Sequence, residues 1–272
     1  MTLIEAIALG IIQGLTEFLP ISSSGHLVLV PWLANWDVGE VGGLAFDAVL
    51  HLGTLAAVLA YFRDDIIRMI SAVVQALAGR SDWRNYDVRL SLMIVIGSIP
   101  AAIIGILFED WFEALFLTPW VAALALIVTA VLLAVGESAG KRKRELESIS
   151  WKDAIVIGIA QALAIIPGIS RSGSTISAGM LRGLNRTDAA RFSFLVGIPA
   201  VTGAGLLQLV RFSQTYSTSS INGLLIAGFL AAMLSGLLAI KWLLSFLKNN
   251  TAWVFAAYCA CFGLLSLVIY II

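Results

Sequence analysis

Apolar residues run in long unbroken stretches along this chain, and polar positions are confined to short intervals between them. A bilayer span needs about 20 mostly apolar residues. Six stretches meet that requirement: residues 44–62, 90–108, 119–137, 189–211, 221–247 and 251–272. Two regions depart from it. From Thr2 to Leu19 the pattern reads as a helix, which breaks at Pro20-Ile21-Ser22-Ser23-Ser24-Gly25 and resumes as an apolar piece that ends by Asp37, too short to span. From Ser150 to Ile166 it does so again, breaking at Pro167-Gly168-Ile169-Ser170-Arg171-Ser172-Gly173 and resuming as far as Leu181. Each region opens with a capping box, Thr2 with Glu5 and Ser150 with Asp153. Irregular backbone at membrane depth is tolerated only where it is buried in protein or lines a cavity. The pattern therefore predicts an all-α integral membrane protein: six transmembrane helices plus two re-entrant helix–loop–helix pairs, forming a single membrane domain over residues 1–272.

The two broken regions are copies of one another. Thr2–Gly25 and Ser150–Gly173 align without a gap, and ten of the 24 positions are identical, among them Gly10/Gly158, Gln13/Gln161, Ser22/Ser170, Ser24/Ser172 and Gly25/Gly173. The chain thus divides into a first repeat over about 1–140 and a second over about 149–272. Three predicted spans separate the copies. Three is odd, so the second copy is inverted relative to the first, an arrangement that places a site near the bilayer midplane at the repeat interface. The copies differ where chemistry can reside: Glu17 faces Ile165, Ser23 faces Arg171 and His26 faces Ser174.

Composition and charge sharpen the layout. Hydrophobic residues make up 60% of the chain and charged residues 12%, against roughly 45–50% and 25% in soluble domains. If the amino terminus lies outside and both pairs re-enter, 15 of the 17 Lys and Arg fall on the inside, leaving only Arg171 and Arg211 elsewhere, while Asp37, Glu40, Glu109, Asp110 and Glu113 fall outside. Trp32, Trp36, Trp111, Trp120, Trp151, Trp242 and Trp253 sit near segment ends, as an aromatic belt predicts. The run Lys141–Arg144 reads as a topology determinant, and Gly97…Pro100 and Gly197…Pro199 as helix kinks. A net charge of zero with no basic tail gives no sign of a nucleic-acid partner. The first basic residue is Arg63, so a basic secretory leader is not expected. Cys259 and Cys261 point to different sides of one helix and read as packing residues.

A carboxylate or a guanidinium inside the bilayer costs about 2.5–3.5 kcal/mol on insertion scales, so Glu17 and Arg171 call for a reason. Glu17 shares a helix face with Gln13. It reads as a general base or a ligand for a hard cation, against the plainer reading of a side chain reaching water from a helix end. Arg171 lies among Gly168, Ser170, Ser172 and Gly173. Glycines let backbone approach a ligand, hydroxyls donate, and a guanidinium binds phosphate bidentately; the plainer reading is a partner for a structural carboxylate. Ser22, Ser23 and Ser24 offer either nucleophiles or helix caps. His26 is a base or nucleophile candidate. His51 and Asp47, four residues apart, read as polar positions facing the bundle, with lining of the cavity as the alternative. The sum is a phosphate site with its own acid–base groups inside a membrane. A lipid phosphatase or phosphotransferase leads, and a transporter of an anion or organophosphate stands second.

The segments Glu17-Phe18-Leu19-Pro20-Ile21-Ser22-Ser23-Ser24-Gly25-His26 and Pro167-Gly168-Ile169-Ser170-Arg171-Ser172-Gly173 closely resemble the two signature motifs of bacterial undecaprenyl-pyrophosphate phosphatases, the bacitracin-resistance family. The resemblance extends over essentially the whole chain, including Phe46…His51-Leu52-Gly53-Thr54 and Arg191-Phe192-Ser193-Phe194. It implies an inner-membrane enzyme that removes the terminal phosphate of undecaprenyl pyrophosphate, recycles the carrier lipid for cell-wall synthesis and confers bacitracin resistance, with its site opening to the periplasm. It implies a requirement for Mg²⁺ or Ca²⁺, an isoprenoid pyrophosphate lipid as substrate, and membrane lipid but no nucleic acid as partner, and it leaves a homodimer open. By the same resemblance Glu17, His26, Ser23 and Arg171 are the catalytic residues. Arg171 is also the phosphate-binding residue of the resemblance, and the reading of the loops themselves adds Ser22, Ser24, Ser170, Ser172, Gly168 and Gly173 to it. Glu17 takes the second position of a Glu/Gln-x-x-x-Glu motif whose first is Gln13 here, where some members carry Glu, so the implied metal ligands are Glu17 and Gln13.

Overall fold

The computed structural model describes residues 1–36, 44–108, 118–215 and 223–272. Asp37, Glu40, Glu109, Asp110, Glu113 and Trp111, and the side chain of Arg211, lie outside what it describes. The described residues form eleven α-helices: α1 Leu3–Phe18, α2 Ser23–Ala34, α3 Leu44–Tyr61, α4 Arg63–Leu77, α5 Tyr86–Leu107, α6 Pro119–Ala139, α7 Trp151–Leu163, α8 Arg171–Leu181, α9 Arg186–Thr215, α10 Gly223–Asn249 and α11 Trp253–Ile271. A single 3-10 turn spans Leu146–Ser148, and no strand occurs among the described residues. Five helices are long and apolar enough to cross a bilayer alone, and a sixth candidate is the α3–α4 pair. The protein is an all-helical, multi-pass membrane protein.

Both broken regions fold as helix, break, helix. The capping boxes at Thr2/Glu5 and Ser150/Asp153 form. The second helices hold 12 and 11 residues, about 16–18 Å at 1.5 Å per residue, well short of a roughly 30 Å hydrocarbon core. The first break closes with Ser22 at φ 72°, and the second with Gly168 at φ 91°. A Cβ on Gly168 would also meet Ala122 O at 2.5 Å, so this turn requires glycine.

Small residues set the helix crossings, as expected where lipid removes the hydrophobic drive between helices. The duplicated Gly10 and Gly158 play equivalent parts. Gly10 lets α1 approach α10 at Gly228, and Gly158 lets α7 approach α5 at Gly97. Helix α10 also packs on α3, α6 on α11, and α8 is held among α6, α7 and α9. Phe18, Phe62 and Phe194 close the core below the first break, Phe18 meeting Phe194 edge-on at 5.4 Å. Outward faces remain apolar, with Ile106, Val131, Leu238 and Leu264 exposed. Of the two cysteines, Cys259 is buried and Cys261 exposed.

Helix α4 is an addition to the expected pattern. It bends 73° from α3 at the buried Phe62. It exposes Ile67, Ile70, Val74 and Leu77 as one stripe at helical spacing, and carries Arg63, Asp64 and Arg68. Pro100 and Pro199 lie inside continuous helices.

Two buried carboxylates fasten the connection between α6 and α8. Asp153 accepts from Arg144 at 2.8 Å and Arg182 at 2.7 Å, and from Ser150 Oγ at 2.7 Å. Glu137 takes Arg142, Arg186 and the Ala252 N–H. Arg142 and Arg144, read from sequence as topology determinants, are thus also structural ions. Burial opposes ionisation of Asp153, yet hydrogen bonds from Arg144, Ser150 and Arg182 hold its carboxyl well below the usual carboxylate range. Asp153→Asn should cost about 2–4 kcal/mol, less than for a fully buried pair because both arginines reach solvent. The lowered pKa means that this contribution is complete above the unfolded value of about 3.9 and is lost only as pH falls through the folded one. The drop in melting temperature of the detergent-purified variant should therefore be the same from about pH 5 to 8; a gap that closes across that range would contradict the assignment.

Candidate active site

The two breaks meet. Gly168 N–H donates to Ser24 Oγ at 3.2 Å, and Ser172 Oγ donates to Leu19 O at 3.1 Å. Thr129, on α6, accepts from Ser170 N–H at 2.9 Å and donates to Gly168 O at 3.3 Å. The N-termini of α2 and α8 are thereby brought to one junction, and a helix N-terminus, with its free N–H groups, favours an anion.

Glu17 lies at the end of α1, beside this junction, and is buried. Its Oε1 accepts from Arg171 Nη2 at 2.7 Å. Its Oε2 accepts from Ser23 Oγ at 2.7 Å and Gln13 Nε2 at 3.2 Å, and lies 3.9 Å from His51 Nε2. The acid of the first copy and the cation of the second, 154 residues apart, form one ion pair. Arg171 Nη1 also donates to Ser193 O at 3.3 Å. A small cleft opens on this pair, lined by Thr54, Phe194 and Gly197 among others. With Arg171 paired to Glu17 it is narrow, and a phosphate group would enter by taking the guanidinium from the carboxylate.

The structure sorts the expected residues. Glu17, Ser23, Arg171, Gln13 and His51 come together. Asp47 contributes its carbonyl, which receives His51 Nδ1 at 2.8 Å. Four of the serines serve the loops themselves: Ser22 caps Gly25 N–H at 3.2 Å, Ser170 caps Gly173 N–H at 3.0 Å, and Ser24 and Ser172 stitch the breaks together. Ser23 is the hydroxyl aimed at Glu17. His26 is one turn along α2, with Nδ1 2.7 Å from Ser22 O and Nε2 2.7 Å from Tyr258 Oη.

This arrangement is chemically specific. A serine hydroxyl is hydrogen-bonded to a carboxylate, that carboxylate is paired to an arginine, and two helix N-termini converge beside them. It suits attack on a phosphoryl group whose charge is carried by the guanidinium and the N–H dipoles.

A family-wide sequence model described as bacitracin resistance protein BacA matches residues 6–265. The chain belongs to the BacA family. It is 45% identical over 277 residues to a protein of Synechococcus sp. (strain RCC307) named undecaprenyl-diphosphatase, covering 98% of this chain and 94% of that one. It is 44% identical over 269 residues to a Myxococcus xanthus (strain DK1622) protein of the same name, covering 99% and 89%. To the undecaprenyl-diphosphatase of Methanosphaera stadtmanae it is 40% identical over 281 residues, covering 100% and 99%. Both motif segments lie within the BacA match, as the resemblance of the two loops led one to expect.

One residue of this BacA site escaped sequence reading. Gly197, on α9, read as part of a kink, but a Cβ there would overlap Arg171 Nη1. Glycine at 197 is the space in which the guanidinium lies. Gly197→Ala should raise helix propensity, by about 1 kcal/mol, yet displace the guanidinium. A 1 Å misplacement at a reacting centre can cost about 10²-fold, and a loss of that order is expected in phosphate release, with the melting temperature moving by no more than a few degrees because the helix gain offsets part of what the shifted ion pair loses. Wild-type turnover in Gly197→Ala would show that Arg171 needs no fixed place.

Proposed function

We infer that this chain hydrolyses undecaprenyl pyrophosphate to undecaprenyl phosphate and inorganic phosphate, and so acts as the undecaprenyl-diphosphatase whose name its relatives carry. The observation that carries this reading is the Ser23–Glu17–Arg171 cluster at the junction of the two loops. Recycling of the carrier lipid is the basis on which such an activity protects cells from bacitracin. Purified protein in detergent should release phosphate from the lipid pyrophosphate; a protein that only moved the lipid across the bilayer would release none.

The geometry supports the following course. Arg171 and the N–H groups of α2 and α8 receive the pyrophosphate. Glu17, relieved of Arg171 as phosphate takes the guanidinium, accepts the Ser23 proton while Ser23 Oγ attacks the terminal phosphorus. The bond from that phosphorus to the bridging oxygen breaks, and undecaprenyl phosphate leaves. Water, losing a proton to His26, then attacks the phosphorus; the Ser23 Oγ–P bond breaks, Ser23 takes back the proton held by Glu17, and inorganic phosphate leaves. His26 lies three positions along α2 from Ser23, and would take this part once Nε2 leaves Tyr258.

A divalent cation fits this site in a limited way. Among the described residues no cluster of three or more His, Cys, Asp or Glu is present. Within this cluster a buried acceptor has no partner, Gln13 Oε1, and it belongs to the residue already bonded to Glu17. Glu17 and Gln13 would hold Mg²⁺ or Ca²⁺ together with substrate oxygens, since Mg²⁺ commonly takes one or two carboxylates plus phosphates. When bound, it would neutralise charge on the pyrophosphate. The isoprenoid tail, too large for the cleft, would lie among the lipid-facing helices.

The finer architecture belongs to the same proposal. We read α3, α5, α6, α9, α10 and α11 as six spans, and α1–α2 and α7–α8 as re-entrant pairs, in an inverted repeat over about 1–140 and 149–272. The equivalent crossings at Gly10 and Gly158 support it, as does the distribution of basic residues. Helix α4 would lie in the inner interface. The protein would reside in the bacterial inner membrane, with the site opening to the periplasm and Arg80 and Ile272 on opposite sides. In a background lacking Cys259 and Cys261, cysteines placed at 80 and 272 should label from opposite faces of intact cells; labelling from one face would refute the re-entrant pairs.

A further inference from the structure

His26 is held more closely than a base waiting for its proton needs to be. Ser22 O can only accept, so Nδ1 carries the ring proton. In the neutral ring Nε2 is then the lone pair, and Tyr258 Oη meets it at 2.7 Å. Tyr258 stands on α11, 232 residues away in sequence. Its ring is nearly parallel to the imidazole, at 7° and 5.6 Å between centroids, and Phe262 stacks at 4.9 Å and 20°. The two partners differ in exposure: His26 is 4% exposed and Tyr258 42%. An aromatic residue there for packing or for the membrane interface needs no hydroxyl turned inward onto a buried nitrogen, and Phe262 already covers the ring.

We propose that Tyr258 is a positioning residue for His26: its hydroxyl fixes the tautomer and tilt of the imidazole, keeps the Nε2 lone pair engaged while the site waits, and yields that place to a water or phosphate oxygen during turnover. Three features support the assignment. Nε2 is the nitrogen left for chemistry once Ser22 O has taken Nδ1. The hydroxyl sits where an incoming oxygen would have to stand. Being at the surface, the tyrosine can swing outward while Phe262 keeps the plane of the ring. The proposal rests on the reading that His26 takes part in hydrolysis.

Tyr258→Phe removes the hydroxyl and keeps the stack. For the detergent-purified variant acting on lipid pyrophosphate, kcat should fall about tenfold, part of the 10²–10⁴-fold that a general acid or base supplies. KM should stay within about twofold, and the melting temperature should fall only by the few degrees that one lost hydrogen bond costs. A second readout is independent of turnover. Diethyl pyrocarbonate acylates unprotonated imidazole, and the chain has two histidines. Peptide mass mapping should show His26 modified several-fold faster in Tyr258→Phe than in wild type, with His51 unchanged as the internal control. Wild-type kcat together with an unchanged His26 rate would overturn the proposal. So would faster His26 acylation with wild-type kcat, which would leave a hydrogen bond that positions nothing. His26→Ala separates the two layers: full activity there would mean that the hydrolytic role of His26 has failed, whereas an inactive His26→Ala beside a fully active Tyr258→Phe would count against Tyr258 alone.

Discussion

Arg171→Lys should lower phosphate release by about 10²–10³-fold, the range seen when one preorganised donor to a developing charge is removed, while the protein still inserts and folds. The charge is kept in this variant and the shape is lost. Arg171 uses its fork in two directions, Nη2 toward Glu17 at 2.7 Å and Nη1 toward Ser193 O at 3.3 Å, and Gly197 leaves the space that the planar group fills. An ammonium can replace one of these bonds but not both, and cannot present two parallel donors to a phosphate. Because lysine still neutralises Glu17, the melting temperature should move little, which separates this loss from unfolding. The same assay at several lipid concentrations would show where the effect falls. A rise in KM alone would mean that Arg171 only gathers substrate; a fall in kcat is expected, since the donors matter most as charge builds on the phosphoryl oxygens. Turnover near that of wild type would reduce Arg171 to a point charge.

Much of this was legible in the sequence because its signals are local or periodic. The helix breaks announce themselves through Pro20, Pro167 and the serine–glycine runs, and the capping boxes mark where α1 and α7 begin. The cost of placing Glu17 or Arg171 in lipid singles each out, and the repeat implies that the two loops are related, though not that they touch. What stayed hidden depends on which elements meet. Helix α4 escaped because its charged positions dilute the hydropathy on which a span is recognised, while its apolar residues fall on one stripe that averaging along the chain does not see. Gly197 owes its role to an arginine reaching over from α8. Tyr258 looks, in sequence, like one more aromatic residue in an apolar helix. The serines were divided between capping and chemistry only by their partners: Ser22 and Ser170 turn back onto the N–H three residues ahead, whereas Ser23 reaches Glu17 across the break.

Glu17→Gln should abolish activity, by at least about 10³-fold, whereas Gln13→Ala should reduce it only several-fold. Both oxygens of Glu17 meet donors: Oε1 receives Arg171, and Oε2 receives Ser23 and Gln13. Glutamine keeps the size but has one acceptor oxygen: its amide nitrogen faces either the guanidinium, donor against donor, or Ser23, whose hydroxyl then accepts and has no group to take its proton. The variant loses the negative charge, the proton acceptor for Ser23 and the carboxylate that would hold a cation. It also leaves Arg171 buried without its counter-ion, a change that costs about 3–5 kcal/mol when one partner of a buried pair is removed. Instability could therefore imitate a catalytic loss. The double variant Glu17→Gln with Arg171→Gln distinguishes them: it restores a neutral, hydrogen-bonded pair, and should recover most of the melting temperature while remaining inactive. Gln13→Ala removes one 3.2 Å bond and an acceptor that has no partner in the protein, so its effect should fall chiefly on the Mg²⁺ or Ca²⁺ concentration needed for half-maximal rate. Equal losses from Glu17→Gln and Gln13→Ala would mean that this face of α1 acts as one hydrogen-bonded unit, and that Glu17 is not singular within it.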